Sequence, residues 1–291
     1  MPDSSKVSCV ERNYDLTRRG KVGATQRYTA REVINILDDA GRVGRRELRT
    51  AELAEKLLDL SSRSAPIVRW AYSAFTYEVK RNHAKDPYAL PPSVVGVWEG
   101  PDEIAQPSSG KIVVESDIER SDSFYDMDME SFGLSKTSPV AFMTAELVVH
   151  TRAFWLYASR THGGIDQLRR VGDSVRMPWS GKTDHVGYAK LFKAEVHRGE
   201  NTLRFEAVTT RHGREVALLR AYTPYDVLAA GSGYGPTHCE LLAHIWVDLA
   251  SGAIAAGEAY QQNFMSGFPL PDGSQAPIKV RFECSLELIP D

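Results

Sequence analysis

The chain has 291 residues and a formal charge of −3, and its 42% apolar and 25% charged residues are typical of a globular protein. No run approaches the roughly 18 consecutive apolar residues of a membrane-spanning helix, and the opening MPDSSKVSCV has no apolar signal-peptide core. The three cysteines lie far apart without metal-ligand spacing. We therefore expect a cytoplasmic protein with reduced thiols, no membrane association and no bound metal.

Charge is distributed unevenly along the chain. Residues 1–85 contain 17 Lys and Arg against 11 Asp and Glu, residues 86–150 contain 3 against 12, and residues 151–291 contain 15 of each. The basic segment is the only candidate for nucleic-acid binding, but acidic residues are interspersed through it, which is typical of a solvated surface. We therefore expect no nucleic-acid partner.

Apolar spacing predicts helices in the N-terminal third, mostly between residues 28 and 82. Thr29 and Glu32 have the spacing of a capping box, and apolar residues continue at helical intervals to Leu37. Similar spacing predicts two further helices in this region. The Pro- and Gly-rich residues 83–110 are predicted to form a loop.

From residue 111 onward the sequence alternates between apolar and polar residues, most clearly at 203–208 and 280–288. Because short turns and no helical pattern separate these segments, we expect the strands 111–291 to pair as an antiparallel sheet. The chain is therefore predicted to be a single α+β domain over residues 1–291. Its helical N-terminal third would pack on a large curved antiparallel β-sheet, either hotdog-like or a cavity-bearing half-barrel.

Candidate chemistry depends on histidine, because the sequence contains no dinucleotide-binding, phosphate-loop or serine-hydrolase motif. Histidine is the side chain best suited to proton transfer near pH 7. His162 and His185 lie in glycine-bearing connections, where catalytic groups often occur, and Asp184 directly precedes His185. His150 and His244 lie in strand-like runs and could face a core or a cavity. We expect no cofactor.

Aromatic residues are frequent in the β-rich part of the chain. A large core between sheet and helices would explain them, and so would an apolar cavity in which a few polar groups fix a ligand. On the second interpretation, the expected substrate-binding residues are Trp155, Tyr157, Trp179, Tyr188 and Trp246.

Short motifs occur at two places. Residues 14–16 precede a glycine-bearing turn at 20–23 and an apolar segment, while residues 170–175 contain a Gly-Asp step and residues 184–186 an Asp-His pair. This arrangement resembles hotdog-fold proteins, the superfamily of acyl thioesterases and dehydratases, and resembles the tandem hotdogs of plant-type acyl carrier protein thioesterases. The resemblance implies a sheet wrapped around one long helix, a possible second hotdog half, and a functional role for Asp15.

These observations favour an enzyme that acts on an apolar acyl or polyketide-like substrate, carried on coenzyme A or a carrier protein. The expected reaction is thioester hydrolysis or dehydration, with Asp184 and His185 as the acid–base pair, Asp15 as an orienting carboxylate and His162 as a further candidate. Two alternatives are a small-molecule cyclase or isomerase and a non-catalytic binder of an apolar ligand. Because open sheets expose strand edges and hotdog proteins usually pair their sheets, we also expect a homodimer.

Overall fold

Long β-strands make up most of the structure, a computed structural model that describes residues 12–37, 41, 43–60, 67–81, 102–105, 112–117, 147, 150–151, 154–155, 164–178, 194–229, 237–269 and 275–290. These residues form eleven strands: β1 (Thr25–Leu37), β2 (Val43–Asp59), β3 (Ile67–Arg81), β4 (Asp102–Ala105), β5 (Ile112–Asp117), β6 (Ser174–Pro178), β7 (Ala194–Arg211), β8 (Arg214–Ala229), β9 (Thr237–Asp248), β10 (Ile254–Pro269) and β11 (Gln275–Leu288).

All eleven strands belong to one antiparallel sheet, which confirms the predicted strand pairing. The order is β4-β3-β2-β1-β11-β10-β9-β8-β7-β6, with β5 also paired to β3. The chain thus builds two runs of consecutive strands, which meet where β1 pairs with β11 over Tyr28–Leu37. In the part of the chain that the structure describes, no pairing joins β4 to β6, so the sheet is open.

The predicted helical N-terminal third is wrong, because this region forms β1, β2 and β3. Exposed and buried side chains alternate from Arg27 to Glu32 of β1, as expected for a strand with one covered face, and from Glu32 to Leu37 nearly all side chains are buried. Thr29 and Glu32 are not a capping box, since Thr29 is exposed and Glu32 is buried. The apolar segment that follows the turn at 20–23, where the hotdog resemblance implies a long helix, is likewise a strand, β1.

The physical reason for this error is that short apolar runs fit helical and strand spacing almost equally well. Val33, Ile34 and Leu37 satisfy the helical interval, but each also has a direct cross-strand neighbour on both sides. The hydrogen bonds to β2 and β11 satisfy the backbone of β1 in the sheet, and neither partner strand is visible from the local sequence.

A helical segment lies on one face of the sheet, where the sequence predicted a strand. Leu147, His150, Thr151, Phe154 and Trp155 are helical, and intervals of three and four residues place them on one side of a helix. All except His150 are buried. We call the sheet face that this segment contacts the inner face. Among the described residues, no helix is long and apolar enough to span a membrane.

The inner face carries the hydrophobic core. Side chains directly opposite each other in the register point to the same face, and the inward residues of β1 to β3 and β7 to β11 form one cluster with the helical segment. Its largest fully buried members are Trp70, Tyr28, Tyr72, Phe154 and Phe205.

The sheet curves so that both of its halves approach the loop segment 14–19. Tyr14 packs edge-on against Phe205 of β7, with ring centroids 5.5 Å apart, while Arg18 lies 2.5 Å from Glu55 of β2. These strands are six positions apart in the sheet, or about 29 Å if the sheet were flat. The loop segment therefore lies across one end of a concave inner face.

Gly257 provides a test of how tightly the helical segment packs on the sheet. A Cβ atom at this position would lie 2.6 Å from the ring of Phe154. We expect Gly257→Ala to lower the free energy of unfolding by about 1–3 kcal/mol, because the ring cannot shift without disturbing a packed core. Denaturant unfolding measures the change.

The matched control for this prediction is Glu258→Ala, at the adjacent exposed position of the same strand. Its effect should stay within about 0.5 kcal/mol. Equal stabilities for Gly257→Ala and the wild type would contradict the described packing of Phe154.

Candidate functional site

The predicted site residues fall into two groups. Most of them lie outside the described residues: His162, Asp184, His185, Tyr157, Trp179 and Tyr188. The structure places the other three, Asp15, Trp155 and Trp246, at separate positions.

Asp15 organises the loop segment 14–19. Its Oδ1 accepts hydrogen bonds from the backbone N–H of Thr17, at 3.0 Å, and from the Thr17 hydroxyl, at 2.6 Å. Arg19 forms an ion pair with the other carboxylate oxygen at 2.8 Å. Burial would raise the pKa of Asp15, but the Thr17 hydrogen bonds and the charge of Arg19 outweigh it and lower the pKa. These contacts hold the loop in place, and none of them involves a histidine.

Trp155 and Trp246 lie on opposite faces of the sheet. Trp155 is buried on the inner face, with its ring centroid 5.6 Å from that of Tyr28 and 5.4 Å from that of Trp70. Trp246 lies on the outer face, where the Arg211 guanidinium stacks over its ring at 4.4 Å. Of these two tryptophans, Trp155 alone therefore lies on the inner face.

The inner face contains a buried histidine–carboxylate pair that the sequence did not reveal. Glu32 of β1 is completely buried, and its Oε1 is hydrogen-bonded to His150 Nδ1. Its other oxygen accepts a hydrogen bond from Arg49 Nη1 at 2.9 Å. Arg49 lies directly opposite Glu32 in the β1–β2 register. The sheet thus supplies the carboxylate and the helical segment supplies the imidazole.

The pair continues into a charge ladder along β2. Arg49 Nη2 donates to Glu47 at 2.8 Å, and Arg45 forms a further ion pair with Glu47. Alternate residues of a strand share one face, so Arg45, Glu47 and Arg49 line up beside Glu32. The alternating Arg-x-Glu-x-Arg pattern is the one sequence signal that could have identified this site.

The electrostatic environment keeps Glu32 ionised. Burial alone would raise the pKa of Glu32, but the charges and hydrogen bonds of His150 and Arg49 outweigh burial and lower it. An ionised carboxylate can only accept hydrogen bonds, so His150 Nδ1 carries the donated proton. In a neutral imidazole the proton then lies on Nδ1 and Nε2 is the acceptor nitrogen.

A second buried carboxylate anchors the other end of the helical segment. Glu55 accepts hydrogen bonds from Trp155 Nε1 and from Arg18 Nη2, each at 2.5 Å. Burial raises the pKa of Glu55, and the opposing effects of Arg18 and the indole hydrogen bonds only partly offset it. The pKa of Glu32 is therefore lowered and the pKa of Glu55 is raised, although both carboxylates are buried.

Cys284 adjoins the pair but is not an activated nucleophile. It lies directly opposite Glu32 on β11. Burial and the Glu32 charge raise the pKa of its thiol well above the usual value, and a protonated thiol is unreactive. Within the described ranges, no group of three or more His, Cys, Asp and Glu residues is arranged to hold a metal ion.

Comparisons with known proteins found no matching family model and no matching curated protein. Three solved structures are similar at low level. Lipovitellin, in a structure of its lipid–protein interactions, has 8% identity and a TM-score of 0.44, over 93% of this chain but 25% of its own. DynF from the dynemicin biosynthesis pathway of Micromonospora chersina has 6% identity and a TM-score of 0.26, over 99% and 92%.

The third is a protein from Bacteroides fragilis, described as exported and with a YmcC-like fold, at 10% identity and a TM-score of 0.23, over 92% and 97%. This chain thus spans about a quarter of the lipovitellin chain. All three TM-scores lie below 0.5, and nothing about the function of this chain follows from them.

Replacing Arg49 tests how much the free energy of unfolding depends on pairing of the buried charges. We expect Arg49→Met to lower the free energy of unfolding by about 3–5 kcal/mol, because Glu32 and Glu47 would each lose a partner inside the protein. The exposed Arg46→Met, on the outer face of the same strand, is the matched control and should change stability by less than about 1 kcal/mol. Similar small effects for both variants would contradict a buried ladder.

Glu55 should leave a signature in the pH dependence of stability. Its raised pKa means that the folded chain holds this proton more tightly than the unfolded chain. The resulting stabilisation is complete below the unfolded carboxyl pKa and is lost as the pH rises through the raised folded value. Relative to Glu55→Gln, which cannot ionise, the wild type should therefore be most favoured at acidic pH and less favoured as the pH increases.

Denaturant unfolding across this pH range measures the difference between wild type and Glu55→Gln. Glu52→Gln, at an exposed position of the same strand, serves as the matched control. A wild-type advantage that grows with pH would show that Glu55 is held ionised by its partners.

Proposed function

We propose that the protein binds an apolar small molecule on its inner face and that His150, oriented by Glu32, transfers a proton on this molecule. The observation that carries the proposal is the buried Arg49–Glu32–His150 chain beside a cluster of buried apolar and aromatic side chains. A buried ion pair contributes little net stability compared with apolar residues of similar size, so its presence in a core favours a chemical role.

The apolar part of the ligand would lie near Tyr28, Trp70 and Trp155, whose rings contact each other on the inner face. Aromatic side chains supply large apolar contact areas with limited rotational freedom. His150 and Trp155 are five residues apart in the sequence, which corresponds to roughly 8 Å along a helix axis. A ligand of medium length could therefore contact the aromatic cluster and reach the imidazole.

The proposed reaction is dehydration or thioester hydrolysis of an acyl substrate. In dehydration, His150 Nε2 removes the proton beside the carbonyl, the double bond forms as the C–O bond breaks, and the departing hydroxyl takes the proton and leaves as water. In hydrolysis, His150 removes a proton from water, the hydroxide attacks the thioester carbonyl, and the thiol leaves with that proton. In both cases Glu32 stabilises the transient imidazolium.

A panel of acyl-coenzyme A substrates tests the proposal, with thiol release reporting hydrolysis and enoyl absorbance reporting dehydration of a β-hydroxyacyl substrate. We expect His150→Asn to reduce kcat by about 10²- to 10⁴-fold, because this is the usual contribution of a general base. His244→Asn, in the outer-face register next to Trp246, should leave kcat unchanged.

Two outcomes would separate the parts of this proposal. Full activity of His150→Asn would show that His150 is not the general base. The predicted pair His185 and Asp184 would then be the next variants to measure. Absence of turnover, together with recovery of an unaltered apolar ligand in native mass spectrometry, would make the protein a binder instead of an enzyme.

The cytoplasmic location and the homodimer remain predictions. Measuring the molecular mass in solution tests the homodimer.

A further inference from the structure

We infer that the portion of the ligand held on the inner face is uncharged and carries hydrogen-bonding oxygen groups, as an acyl ester, thioester or alcohol does. This inference rests on the proposed binding of an apolar ligand and names the chemical class of that ligand. Two independent observations carry it: a balanced set of buried charges and a row of buried neutral polar side chains.

The buried charges of the inner face compensate one another. Three arginines and three glutamates form ion pairs there: Arg18 with Glu55, Arg45 and Arg49 with Glu47, and Arg49 with Glu32. With the His150 imidazole neutral, as the proposed proton transfer requires, the formal charges of these described residues sum to zero. A carboxylate or ammonium group brought into this surface would add a buried charge without a dedicated counter-ion, which is costly.

Neutral polar side chains lie on the inner face of β10, β8 and β7, and the apolar Leu241 of β9 separates those of β10 from those of β8. Phe282 of β11 contacts the His150 ring, with centroids 5.4 Å apart, and Gln261 of β10 lies directly opposite Phe282. Gln261 is 6% exposed, and its Nε2 donates to Asn263 Oδ1 at 2.8 Å. Gln261 therefore lies on the strand next to β11, about 4.8 Å from the strand whose Phe282 contacts the imidazole.

The row extends two strands further. Leu241 of β9 lies opposite Gln261 and also opposite Thr223 of β8. Thr223 is completely buried, and its hydroxyl donates to Asn201 Oδ1 at 3.2 Å. We call Gln261, Asn263, Thr223 and Asn201 the polar row. Amides and hydroxyls exchange hydrogen bonds with carbonyl and hydroxyl oxygens and offer no charge to attract an ion.

The polar row and the aromatic cluster divide the inner face. Tyr28, Trp70 and Trp155 lie towards one end of the strands, whereas the polar row lies level with Ile34 of β1, beyond Glu32. A ligand that spans both regions has an apolar portion at one end and neutral oxygen groups at the other. His150 lies between these regions, where a proton next to a carbonyl would be exchanged.

Three ligands with the same alkyl chain and different head groups test the inference: methyl dodecanoate, dodecanoate and dodecylammonium. Isothermal titration calorimetry of the full chain at neutral pH gives each Kd without requiring turnover. We expect the neutral ester to bind at least about tenfold more tightly than either ion. Equal or tighter binding of dodecanoate would overturn this inference alone, whereas no binding by any of the three would overturn it together with the proposed function.

The adjacent residues Gln261 and Gln262 provide a matched pair of variants, since the first faces inward and the second outward. Gln261→Leu should weaken ester binding by about tenfold and leave dodecane binding unchanged, while Gln262→Leu should change neither. If Gln261→Leu does not fold, the isosteric Thr223→Val gives the same readout, with the exposed Thr209→Val as its control. Unchanged ester binding in folded Gln261→Leu and Thr223→Val proteins would contradict the role of the polar row.

Discussion

The burial of the Glu32 carboxylate is the constraint on which the surrounding structure depends. A charge in a core must be paired and hydrogen-bonded, and Glu32 meets this requirement with Arg49 from the neighbouring strand and His150 from the helical segment. A shift of one residue in the β1–β2 register would turn every side chain of the strand to the other face and break the pair. One carboxylate therefore helps to set both strand register and helix placement.

The helical segment is held at two points by carboxylates of the sheet. His150 contacts Glu32, and Trp155 donates to Glu55, while Phe154 fills the space above Gly257 between them. These contacts place the imidazole beside the polar row and the indole beside the aromatic cluster. The same interactions that hold the helical segment against the sheet thus bring an imidazole and an aromatic cluster onto one face, which is the physical basis of the proposed function.

Sequence reasoning recovered some parts of this arrangement and missed others. The antiparallel sheet in the C-terminal half was predictable because alternation in segments such as 203–208 is unambiguous. Trp155 was predicted to bind substrate from a strand, whereas the structure places it in the helical segment, buried on the inner face. The pair of His150 and Glu32 was missed because its members are 118 positions apart, and no local pattern links an imidazole on one element to a carboxylate on another.

The sequence alone was enough to predict a globular chain with antiparallel strands in its C-terminal half. It also showed that histidine and aromatic side chains are available for a site. Only the tertiary structure decided that the predicted helices are the strands β1, β2 and β3, that His150 and Trp155 lie in a helical segment, and that the sheet and this segment meet at Glu32. The reason is that hydrophobic spacing is a local property, whereas strand pairing and the pairing of buried charges are satisfied by partners distant in the sequence.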